Sequence, residues 1–78
     1  MKRNVFIEVF LLRNDFKQVK ENTFTNDKCT VIILEDCYQV IFDYPEVGEV
    51  STYTDSLSMY HLVGILTWYD LLDRNYKK

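Results

Sequence analysis

Residues 29–44 read CTVIILEDCYQVIFDY. Two stretches rich in β-branched and aromatic residues, 29–35 and 37–44, flank Glu35-Asp36, a polar pair that suits a reversal of the chain. The pattern predicts an antiparallel hairpin. In this register Cys37 stands beside the turn, opposite about Leu34, while Cys29 lies far down the partner strand. That separation exceeds the short reach of a disulfide, so both cysteines are expected as reduced thiols of a cytoplasmic protein. With one histidine and no CxxC pair, neither a metal site nor a cofactor is expected.

Working outward, residues 16–25 (FKQVKENTFT) are more polar and read as an edge strand guarded by Lys17 and Lys20. Residues 4–12 (NVFIEVFLL) read as a further strand, with Val5, Ile7, Val9 and Leu11 on one face and Phe6, Phe10 and Leu12 around Glu8 on the other. Lys2 and Arg3 before that run suggest a signal peptide, but Glu8 interrupts it and no small-residue cleavage site follows. No apolar run approaches the roughly 20 residues that span a bilayer. Pro45 ends the hairpin, PEVGEV is expected as a loop, and Val50 to Tyr53 allow one more short extended piece.

From about Ser56 the periodicity becomes helical, and a helix is expected over 56–74, capped by Thr54 or Asp55 and stopped near Asn75. At 100° per residue Leu57, Tyr60, His61, Gly64, Ile65, Trp68, Leu71 and Leu72 share one face, read as the core side. Met59, Leu62, Val63, Leu66 and Tyr69 fall on the other, which is also apolar. The expected fold is therefore α+β, a single domain over residues 1–78: a small four-stranded antiparallel meander (4–12, 16–25, 29–35, 37–44) with one C-terminal helix on one face. Both the strands and the helix carry more apolar surface than such a monomer covers. A homodimer is expected, with Met59, Leu62, Val63, Leu66 and Tyr69 at its interface.

Chemistry is sparse. His61 is the only histidine, and two glycines cannot build a phosphate-binding loop. No catalytic residue is assigned, and the protein is expected not to be an enzyme.

The formal net charge of −3 conceals a strong polarity. Residues 1–28 sum to +2, residues 29–73 hold eight acids and no lysine or arginine, and the last five residues sum to +3. All six tyrosines and the single tryptophan also lie beyond residue 37. Acids interleaved with tyrosines suit a basic protein surface, with the rings as rigid contact area and the carboxylates steering the approach. The densest part is DYPEVGEVSTYTD, residues 43–55. Asp43, Glu46, Glu49 and Asp55, with Tyr44 and Tyr53 as anchors, are the expected partner-binding residues.

The composition adds a hint about origin. The chain has no alanine, and Phe, Tyr, Met, Ile, Asn and Lys supply 29 of its 78 residues, which points to an AT-rich gene. A phage or mobile element fits, as does an AT-rich bacterium. The function expected is a non-catalytic interaction module, an inhibitor of anti-CRISPR or anti-restriction type that mimics nucleic acid. The alternative is a small homo-oligomeric structural protein whose acids only keep it dispersed. Direct nucleic-acid binding through Lys2, Arg3, Arg13, Lys17, Lys20 and Lys28 is opposed by the acidic balance of the chain.

Overall fold

The computed structural model describes residues 5–72. Their order is helix α1 (Val5–Arg13), strands β1 (Lys17–Lys20), β2 (Thr23–Thr25), β3 (Cys29–Ile33), β4 (Tyr38–Tyr44) and β5 (Gly48–Tyr53), then helix α2 (Met59–Trp68). The sheet is antiparallel throughout, and its strands neighbour one another in sequence order. The α+β class, the antiparallel sheet and the C-terminal helix agree with the sequence. The sheet has five strands, however, and its membership differs.

The central hairpin forms as the sequence predicts. Cys29 faces Phe42 and Ile33 faces Tyr38 across the β3–β4 ladder, and the Leu34 amide donates to the Cys37 carbonyl at 2.9 Å. Both cysteines are free thiols. Burial alternates strictly along β3, with Cys29, Val31 and Ile33 inside, and along β4, with Tyr38, Val40 and Phe42 inside. Phe24 of β2 opposite Val31 continues that face. Ile7 and Leu11 from α1 and Leu62 and Leu66 from α2 join the same core cluster, so both helices lie on one side of the sheet.

The strand expected over residues 4–12 does not form; residues 5–13 are helix α1 instead. Its buried residues, Ile7, Glu8 and Leu11, have helical spacing. A run apolar at nearly every position satisfies period 2 and period 3.6 equally, so the choice falls to the residues just after it. The Phe16 amide donates to the Leu11 carbonyl at 3.0 Å, Asp15 adopts φ 70°, and Phe16 is buried with Leu11 in the core. That is a Schellman-type helix stop. Residues 16–25, expected as one strand, divide into the β1–β2 hairpin because Asn22 takes φ 61° at its tip. The loop expected over residues 45–50 is confined to the turn at 45–47, and the short extended piece allowed at Val50 to Tyr53 is part of β5. Rather than a loop leading to the helix, residues 43–55 are thus mostly the β4–β5 hairpin. Pro45 occupies its first corner, Glu46 has φ 67° and Gly48 φ 101°.

Helix α2 is shorter than the expected 56–74. Ser58 rather than Thr54 or Asp55 is its cap, the Ser58 hydroxyl accepting the Tyr60 amide at 3.2 Å. Thr54 is engaged elsewhere. Its hydroxyl accepts the Tyr38 amide at 2.9 Å and donates to the Ser56 carbonyl at 2.6 Å. The phenol of Tyr38 donates to the Leu57 carbonyl at 2.7 Å, so the connection from β5 to α2 is fastened to the core. Burial pushes the Tyr38 phenol above its ordinary pKa. At the far end Leu71 donates to the Leu66 carbonyl at 2.7 Å and Asp70 has φ 57°, a second Schellman-type stop. Residues 73–75, where the sequence places the helix end, lie outside the described residues.

The expected core face of this segment is right only in part: Leu71 is in the core and Leu57, Ile65 and Leu72 pack against it, but Tyr60, His61, Gly64 and Trp68 turn outward. Leu62 and Leu66 are fully buried, whereas Tyr60 and Trp68 are 88% and 82% exposed. His61 and Gly64 face solvent with them. The predicted oligomer face is thus divided. Leu62 and Leu66 belong to this chain's own core, Val63 is half-buried, and only Met59 and Tyr69 retain exposure at its margins. The uncovered face of the sheet carries Thr25, Thr30, Ile32, Gln39 and Ile41, half-buried and largely polar, so it does not require a second copy to shield it. The exposed apolar side chains are Val5, Phe6, Val9 and Leu12 on α1 and Tyr60 and Trp68 on α2, with Val19, Tyr44, Val47 and Tyr53 on the strands and the β4–β5 turn, among others.

Candidate interaction surface of the acidic hairpin and its groove

The six predicted partner-binding residues lie on one hairpin and its exit. Asp43 and Glu49 are direct cross-strand partners on the same ladder that pairs Gln39 with Tyr53. By strand alternation Asp43, Glu49 and Tyr53 project from the uncovered face. All three are exposed, as are Glu46 at the tip and Asp55 beyond the strand. Like charges directly opposite destabilise a hairpin by up to about 1 kcal/mol. Two carboxylates so placed concentrate negative charge on the hairpin, with Lys28 lining the same shallow hollow as Asp43 and Glu49 as the basic side chain beside them among the described residues.

Tyr44 is on the other side of the hairpin. Its ring meets Phe42 edge-on at 6.4 Å and Tyr69 edge-on at 6.1 Å, while Phe42 and Tyr69 stand 4.7 Å apart. The cluster supplies a stiff aromatic wall with Tyr44 still about half exposed. The predicted set is therefore gathered in sequence but split between two faces: acids and Tyr53 on one, Tyr44 on the other.

Sequence reasoning misses the groove beside it. Between the end of β5 and the flank of α2 runs an open hollow of about 440 Å³ lined by Thr52, Tyr53, Asp55, Tyr60, Gly64 and Trp68, among others. It continues past Trp68 and Tyr69 to Tyr44, Val50 and Ser51. A methyl group added at Gly64 would meet nothing within 4 Å. Mid-helix glycine costs roughly 1 kcal/mol relative to alanine, and among the described residues no close packing offsets that here. The signal in the sequence is the aromatic pair Tyr60 and Trp68, eight residues apart around a glycine, which helical periodicity alone assigns to the core face.

The remaining polar chemistry is local. The Ser56 hydroxyl and His61 Nδ1 are 3.0 Å apart, and the same hydroxyl accepts the Ser58 amide at 3.1 Å, so the pair organises the entry to α2. Among the described residues no group of three or more His, Cys, Asp or Glu is placed to hold a metal ion, and no helix is long and apolar enough to cross a membrane.

The fold and surface define a two-layer meander with an acidic hairpin and an aromatic groove at one edge. Comparison with protein-family models, curated proteins and solved structures finds no match for this chain.

Proposed function

We propose that the protein is a non-catalytic interaction module whose acidic, tyrosine-bearing β4–β5 hairpin engages a basic protein surface, in the manner of a nucleic-acid mimic. The observation that carries this is the Asp43–Glu49 pair, held opposite one another on the exposed hairpin, with Lys28 alone as a basic side chain lining the same hollow. A cationic partner relieves that repulsion, so binding contributes energy that folding alone leaves unused. Glu46 at the tip and Tyr53 on the same face extend the contact. An inhibitor of a nucleic-acid-handling enzyme, of anti-CRISPR or anti-restriction type and acting in the cytoplasm, is the biological setting that this charge pattern suits.

The test is capture from a lysate of the source organism on immobilised protein, in parallel with the Glu46→Lys/Glu49→Lys variant. The reading expects a basic protein retained by the wild type, released by rising salt, displaced by duplex DNA and lost on the variant. Equal retention by both refutes it.

A second reading, a homo-oligomeric accessory protein, is favoured by the exposed stripe on α1. There Val5, Phe6, Val9 and Leu12 form one continuous face, with Phe6 79% exposed. Phe6→Glu with Val9→Glu then converts a dimer to a monomer in sedimentation. A wild-type monomer at tens of micromolar contradicts this reading.

A further inference from the structure

β5 is the last strand of the sheet, and no described strand pairs with its outer edge. The identity of the groups on that edge follows from the ladder. The Thr54 amide donates to the Tyr38 carbonyl at 3.0 Å, which makes Tyr38–Thr54 a hydrogen-bonded pair. Such pairs alternate in antiparallel sheets, so Thr52 and Val50 also turn inward to β4. Glu49, Ser51 and Tyr53 therefore turn their amides and carbonyls outward. These unpaired groups run alongside the groove between β5 and α2, whose wall is built by Trp68 and Tyr69.

A free strand edge next to a helix wall is a template for one more strand. We infer that this edge takes up an extended segment of a partner protein in which apolar and basic side chains alternate. Both halves of that pattern are set by the register. An added strand directs every second side chain to the covered side, toward Trp68, Tyr69 and Tyr44, where apolar groups fit. The intervening side chains project beside Glu49 and Tyr53 on the uncovered side, with Asp43 one strand further in. Lys28 lines the hollow on the inner, Asp43 side of that pair, and β5 itself carries no lysine or arginine, so at the outer edge beside Glu49 a basic side chain is the complement. The length of β5, six residues, sets the length of the segment at about six. The open space over Gly64 admits a bulky side chain at the groove's Tyr60 end.

This inference rests on the proposed acidic interaction surface and adds to it a strand edge and a helix wall. The probe is a capped hexapeptide alternating valine and lysine, with two versions N-methylated on one or the other alternate set of amides. The expected result is saturable binding that weakens with salt. Methylation of one set abolishes it and methylation of the other leaves it, because only one set faces β5. On binding, the amides of Ser51 and Tyr53 gain protection from hydrogen exchange. Trp68→Ala weakens affinity at least tenfold, and so does Ser51→Pro, which removes an outward amide without breaking the β4–β5 ladder.

Equal binding by the two methylated peptides, or no new protection at Ser51 and Tyr53, overturns the inference whether or not Ser51→Pro folds. If salt-sensitive binding persists in that case and is lost in Glu49→Lys, the acidic surface stands and only the strand edge falls. If the unmethylated peptide does not bind at millimolar concentration, the inference also falls, while capture of a basic protein decides the acidic surface independently.

Discussion

Leu66→Ala and Trp68→Ala, two residues apart on α2, are expected to differ severalfold in their cost to stability. At 100° per residue these side chains point about 200° apart. Leu66 is fully buried in the core cluster, and Trp68 is 82% exposed. Truncating Leu66 removes about three buried carbon groups at roughly 0.8 kcal/mol each, and incomplete collapse of the cavity brings the loss to about 3 kcal/mol. For Trp68 only about a fifth of the side chain leaves a buried setting, a loss of about 0.5 kcal/mol. A domain of this size has roughly 4–12 kcal/mol of total stability and a urea slope of about 1 kcal/mol per molar. The transition midpoint should then fall by about 3 M for Leu66→Ala and about 0.5 M for Trp68→Ala. Urea titration followed by far-UV circular dichroism measures both without depending on the tryptophan. Comparable losses, or the larger loss at Trp68, would refute the rotation of α2 and with it the groove.

Three further predictions concern the core and the helix stops. Asp15 sits at φ 70°, which a residue with a Cβ adopts at a cost of about 1 kcal/mol, so Asp15→Gly should raise the urea midpoint by roughly 0.5–1 M; a fall would contradict the assigned stop. Burial pushes the Cys29 thiol from 9.0 to about 12, while the half-buried Cys37 is raised by desolvation and by Asp36 beside it. At pH 8 a thiol reagent should therefore titrate one cysteine in the native protein and the second only on unfolding. An acid whose folded pKa is raised binds more protons folded than unfolded, so its contribution is intact below pH 9 and declines between pH 9 and 12. Cys29→Ala should flatten that alkaline decline, and an unchanged profile would show that Cys29 is not its source.

How far the sequence carries depends on whether neighbouring signals agree. In residues 29–44, β-branched alternation, turn residues and strand length all point one way, and the hairpin forms in the expected register. In residues 4–12 uniform apolarity erases the difference between the two periods, and the decisive signal lies downstream. Leu11 to Phe16 and Leu66 to Leu71 share a spacing, leucine followed at four and five residues by aspartate and a bulky apolar residue. Aspartate occupies the left-handed position that glycine usually marks, so neither stop is visible to a search for glycine. For α2 the apolar weight of Tyr60 and Trp68 draws the expected core face away from Leu62 and Leu66, while Ile65 and Leu71 on that face do reach the core, because a helix apolar all round gives little contrast. The acidic hairpin is legible as composition. Its division between two sheet faces is not, since that depends on the β4–β5 register set by the turn at Pro45 and Glu46.

The most direct test of the acidic-surface account is hydrogen exchange on the complex with the basic protein that the wild type retains. New protection should concentrate in residues 43–55 and at the outward side of α2 around Trp68, and should fade as salt dissociates the complex. Protection confined to α1, at Val5, Phe6, Val9 and Leu12, with residues 43–55 unchanged, would contradict the account.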